Sequence, residues 1–188
     1  MDIVLRRRSI VGGLALALAG CSAPVAVTQS NRDANYHQKL GRVVVAVALH
    51  HFGLNDGQNA TFVKASELQQ SFTSRWAPLG LSVVALDVYG RPQALAEAVT
   101  QSGAQQVLEL KLAGYQLASY VVDGYSVDAG LLDVASQKRV WRAIVDFRDF
   151  ATAGRLRTGA FGKPIGHQQE ADELVDTLTV KLKADGLL

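Results

Sequence analysis

From residue 42 onward the apolar positions fall into runs with different periods. Arg42 to Leu49 (RVVVAVAL) is a β-branched run without alternation, which predicts a central strand buried on both faces. Phe62, Ala65, Leu68, Phe72, Trp76 and Leu79 recur at spacings of three and four, so a helix with one apolar face is predicted over about 61–78, with Asn59 placed to cap it. Leu81 to Val88 reads as a second strand. Pro92 suits the first turn of a second helix, with Leu95, Ala98 and Val99 inward and Gly103 as its stop. Strand, helix, strand, helix is the pattern of parallel pairing through right-handed crossovers.

The pattern then changes. Leu108, Leu110 and Leu112 alternate with Glu109 and Lys111, giving a strand over 106–117 with one buried and one wet face. The same alternation continues through Tyr125, Val127, Ala129 and Leu131, and again through Trp141, Ala143, Val145 and Phe147. Ser136-Gln137-Lys138 makes the last turn, so these strands are expected as an antiparallel meander. A final helix is predicted over about 168–185, with Ala171, Leu174, Val175, Leu178 and Leu182 inward and Gly186 after it. Acids sit early in it and Lys181 and Lys183 late, as the helix dipole prefers. The expected fold class is α/β (α+β), a single mixed sheet in βαβαβββα order with helices packed on it.

The first 40 residues follow neither period. Arg6-Arg7-Arg8 precede an uncharged apolar run from Ile10 to Ala19, which ends in small residues. That is the anatomy of a secretory signal, and the run is shorter than the roughly 20 apolar residues that span a bilayer. Leu18-Ala19-Gly20-Cys21 closes the run and resembles the bacterial lipobox. The resemblance implies cleavage between Gly20 and Cys21, diacylglycerol on the Cys21 sulfur and acylation of the new amino terminus. By resemblance to enterobacterial sorting, Ser22 in place of an aspartate favours the outer membrane. Arg7-Arg8-Ser9-Ile10-Val11 also matches the core of a twin-arginine signal; with no cofactor motif following, the general export route is expected. The divisions are then a signal peptide over 1–20, a lipidated amino terminus and flexible tether over 21–40, and a single α/β domain over 41–188.

Charge changes the picture once the signal is set aside. Three of the 19 basic and one of the 17 acidic side chains lie in the first 20 residues, leaving 16 of each. The basic balance of the whole chain belongs to the signal, and a nucleic-acid partner loses its electrostatic argument. Cys21 is the only cysteine, so no disulfide forms within the chain and the sulfur is free for lipid.

Candidate chemistry is sparse. His37, His50, His51 and His167 are scattered, and adjacent strand residues such as His50 and His51 project to opposite faces, which disfavours a shared metal. Asp123, Asp128 and Asp133 have no third group to make an acid–base site and are expected to be solvated at turns and edges. No HExxH, GxSxG or Walker loop is present. No enzyme activity, cofactor or metal is expected. Residues 150–169 hold Arg155, Arg157 and Lys163 with no acid, a local positive stretch and a candidate partner-binding loop.

Two stretches carry a family resemblance. Ser102-Gly103-Ala104-Gln105-Gln106-Val107-Leu108-Glu109-Leu110 is similar to the glycine-alanine step into a strand of bacterial envelope lipoproteins. Leu131-Leu132-Asp133-Val134-Ala135-Ser136-Gln137-Lys138-Arg139-Val140-Trp141-Arg142 resembles their hairpin ending in Val-Trp. The element order resembles the amino-terminal domain of TolB, penicillin-binding-protein activator lipoproteins and the curli secretion lipoprotein. The resemblance implies a periplasm-facing accessory lipoprotein that binds an envelope protein partner and carries no catalytic residues. An auxiliary lipoprotein of an ABC-type lipid-transport system is the alternative expectation.

Overall fold

The computed structural model describes residues 26–118, 120–147 and 167–188. The expected βαβαβββα order is present, with one strand and one short helix added. The elements are β1 (Ala26–Arg32), β2 (Arg42–Ala48), α1 (Asp56–Asn59), α2 (Ala65–Trp76), β3 (Ser82–Asp87), α3 (Pro92–Ser102), β4 (Gln106–Ala118), β5 (Val121–Asp133), β6 (Lys138–Phe147) and α4 (His167–Ala184). They build a single six-stranded mixed sheet in the order β1-β6-β5-β4-β2-β3, an α+β fold. β2 lies parallel to β3 and β4, and the remaining pairs are antiparallel.

The unbroken run of β2 has the predicted cause. Val43 to Val47 are all at most 3% exposed, because helices cover both faces of the sheet there. On one face α2 and α4 bury Leu68, Phe72, Trp76, Leu174, Leu178 and Leu182 against Val45, Leu108, Val127, Leu131 and Val145. On the other, α3 sets Leu95, Ala98 and Val99 over Val44, Ala46 and Val107. α3 reaches no further across the sheet, so β4, β5 and β6 keep a wet second face. Glu109 there bonds Lys111 at 2.9 Å and Arg139 at 3.3 Å, and Arg142 grips both Asp128 oxygens at 2.8 and 2.9 Å.

Four expectations need correction. The 21–40 stretch expected as a flexible tether contains β1, which pairs with β6 from Ala26↔Asp146 to Arg32↔Trp141. Its apolar pattern is blank because the side chains near α4 are polar and satisfied there. Arg32 donates to the Asp185 and Tyr36 carbonyls, and Ser30 hydrogen-bonds the Asp185 carboxylate. The helix expected from residue 61 starts at Ala65, since Phe62 and Val63 are buried from non-helical backbone. Asn59 does not cap it; its amide ties the β2–α1 turn together through His51 and Leu54. Asp128 lies not at a turn or edge but within β5, paired to Arg142 across the strands.

Candidate interaction surface

The strand directions define two ends of the sheet. β2, β3, β4 and β6 run toward one end, and β1 and β5 begin there. β4 and β5 are each 13 residues long and overhang β2 as a hairpin whose last pair is Ala118↔Val121. α1 sits under this overhang, capped by the Asn55 side chain, and Gln58 Nε2 donates to the Tyr120 carbonyl at 2.7 Å. His50-His51-Phe52 at the end of β2, Tyr89 after β3, and Tyr115 and Leu117 of β4 meet at this end.

Ring contacts join these residues in two groups. His50 lies 3.9 Å from Tyr89 between centroids, His51 stacks on Phe52 at 4.8 Å, and His51 meets the edge of Tyr115 at 5.0 Å. His51 Nδ1 accepts from the Gly53 amide at 3.1 Å, which fixes the ring. The two histidines thus serve different aromatic partners. No group of three His, Cys, Asp or Glu side chains able to hold a metal occurs among the described residues.

This end is also where apolar surface is left in water. Phe52 is 87% exposed and Tyr120 89%, with Tyr89 and Leu117 a little under half exposed. Single exposed apolar residues are ordinary; these four share one end of the sheet. Tyr120 adds a backbone observation. Its φ is +68°, a left-handed conformation that a bulky residue adopts at a cost. A hairpin tip would take glycine or asparagine there without strain.

A second concavity lies at the opposite edge of the sheet. It is an open groove of about 670 Å³ along β1 and β6, lined by Asp33, Asn31, Arg139, Arg142 and Ile144 among others. Its Arg142 is committed to Asp128, and that hydrogen bond raises the guanidinium pKa above its ordinary value. The groove offers shape but no convergent chemistry.

Gly20, Cys21, Arg155, Arg157 and Lys163 lie outside the described residues. The described residues beside them are informative. Ala26 begins β1, Phe147 ends β6 and His167 begins α4, all at the aromatic end of the sheet. Asp133 accepts from the Ser136 amide and hydroxyl and so closes the β5–β6 turn; it sits at the turn as expected but is buried there rather than solvated. Phe52, Tyr89, Tyr115, Leu117 and Tyr120 were not singled out by sequence pattern, since each stands alone at a strand end or in a turn. The one available signal was a bulky aromatic in the tight turn at Tyr120.

No protein-family model and no curated protein matches the chain. Among solved structures it is similar to a PelC variant dodecamer from Paraburkholderia phytofirmans, at 17% identity over 83% of this chain and 98% of that one, TM-score 0.46. A second PelC dodecamer from that organism matches at 16% identity over 79% and 93%, TM-score 0.44. Lipoprotein GNA1162 from Neisseria meningitidis matches at 11% identity over 77% and 99%, TM-score 0.41.

Among the described residues no helix is long and apolar enough to cross a membrane.

Proposed function

We propose that this chain is an envelope lipoprotein, anchored through Cys21 to the outer membrane and facing the periplasm, that acts by binding a protein partner rather than by catalysis. The observation that carries the reading is the exposed aromatic end of the sheet, built from four separate segments and lying where the chain enters from Cys21. A catalytic domain would be expected to gather polar groups around a pocket. Here Glu109, Asp128 and Asp133 are instead spent on Lys111, Arg139, Arg142 and the β5–β6 turn, and Asp146 on the Ser126 hydroxyl. The basic residues Arg155, Arg157 and Lys163 belong to the same reading as contacts to an acidic partner.

The test is a crosslinked pull-down from envelope membranes with the full-length protein, run beside Cys21→Ser. A discrete protein partner that is lost or weakened without the lipid is the expected result. Arg155→Glu with Arg157→Glu is expected to abolish that capture while leaving the membrane fraction unchanged. Phospholipid bound to the domain without any protein partner would overturn the reading in favour of lipid transport.

A further inference from the structure

We propose that the aromatic end of the sheet is a membrane-contacting rim, seated in the headgroup and acyl boundary of the leaflet that holds the Cys21 lipid. The proposal rests on the lipid-anchor reading and adds to it an orientation for the domain. Its first support is the length of chain available. From Cys21 to Ala26 is five residue steps, which extend to at most about 18 Å. Ala26 pairs with Asp146, Asp146 with Ser126, and Ser126 with Gly114, so the register places the start of β1 level with Gly114. From Gly114 the hairpin runs on to Ala118 and its turn, an overhang of about 13–16 Å at 3.3 Å per residue. The reach of the tether and the overhang of the hairpin nearly match. A bilayer that accepts the acyl chains of Cys21 therefore lies within touching distance of Tyr120.

The second support is what the rim presents. Phe52, Tyr89, Leu117 and Tyr120 are exposed on it, and tyrosines with their polar tips are enriched where membrane meets water. Among the described residues the charges sharing this end are mixed, with Asp56, Glu67, Asp87 and Glu170 against Lys64, Arg91 and His167. Seating would then draw on the apolar area of the rim. Of the other large exposed apolar residues, Leu79 and Val180 lie toward the opposite end of their helices and Val84 on the edge strand β3. With the rim down, the strands stand away from the bilayer. The wet face of β4, β5 and β6 and the groove beside β1 then point into the periplasm for a partner.

The experiment uses full-length protein reconstituted into phosphatidylethanolamine and phosphatidylglycerol vesicles containing brominated phospholipid. The native Trp76 and Trp141 are at most 1% exposed and give a constant background. Phe52→Trp and Tyr120→Trp each supply a reporter on the rim, and Leu79→Trp supplies one at the far end. Bromine quenching at positions 52 and 120 but not at 79 is expected. Mass spectrometry of the amino-terminal peptide reads lipidation in the same sample. Lipidated protein unquenched at 52 and 120, or quenched equally at 79, overturns the rim and leaves the anchor standing. Protein without acyl chains that still floats with vesicles and is quenched at 52 and 120 keeps the rim and overturns the anchor. Absence of both acylation and quenching overturns both.

Discussion

Tyr120 and Asp185 show how single side chains trade stability against exposure. At Tyr120 the positive φ costs of order 1–3 kcal/mol for a non-glycine residue, and the ring regains little of it from burial. Tyr120→Gly is expected to raise the urea midpoint, corresponding to about 1 kcal/mol of added unfolding free energy after glycine's own entropy is counted. It should at the same time weaken vesicle contact. Tyr120→Ala removes the ring but keeps the strain, so it separates the two effects. Asp185 is the opposite case, since its carboxylate accepts from the buried Trp141 Nε1 and from Lys181 Nζ, at 2.7 and 2.9 Å. Burial pushes its pKa up, but the bonds from Trp141, Lys181 and Ser30 outweigh it and hold it below the ordinary carboxylate value. A depressed folded pKa means stability is fully present above the unfolded value of about 3.9 and is lost as pH falls through the folded value. Thermal midpoints between about pH 3 and 7 should therefore fall at the acid end, and less so in Asp185→Asn. Asp185→Ala strands the indole donor and should cost about 1–3 kcal/mol at neutral pH.

At the scale of elements, legibility in the sequence followed the origin of each pattern. β2, α3 and α4 were legible because their periodicity is imposed by burial on known faces, with Pro92, Gly103 and Gly186 marking ends that the backbone confirms. β1 was not, because its side chains near α4 bond with polar groups at that helix's end instead of filling the core. The start of α2 was misplaced because Phe62 falls by chance on the helical spacing while being buried from the turn that precedes the helix. The aromatic rim escaped for a related reason. Its residues come singly from turn-rich segments, and only the sheet register brings them together. One element-scale device was invisible for want of any pattern at all. Gln69 of α2 accepts from the Ala85 amide at 2.5 Å and donates to the Val83 carbonyl at 3.2 Å. Its amide thus occupies the outer edge of β3, where a partner strand would otherwise add. Gln69→Ala is expected to cost about 1–2 kcal/mol and to open that edge. Concentration-dependent self-association in analytical ultracentrifugation, absent in the parent, is the check; a monomeric variant would mean that the edge is protected by something else.

On the scale of the whole molecule, the proposed anchor and the proposed rim would do different work. A lipobox-type anchor carries enough hydrocarbon to hold the protein at a bilayer by itself, since each buried methylene adds about 0.8 kcal/mol. What acyl chains at the amino terminus do not fix by themselves is which side of the domain faces the membrane. That role would fall to the proposed rim, and it would depend on a tether no longer than the five steps from Cys21 to Ala26. Inserting about ten Gly and Ser residues before Ala26 would raise the extended reach to roughly 50 Å, well beyond the hairpin overhang. The rim would then meet the bilayer at a lower effective concentration. Membrane retention should stay unchanged, because the lipid is intact, whereas bromine quenching at Phe52→Trp should drop. Equal quenching with short and long tethers would show that the rim seats by its own affinity, without help from the anchor. A drop in quenching accompanied by loss of partner capture would show that the partner reads the orientation of the domain, and not merely its presence at the membrane.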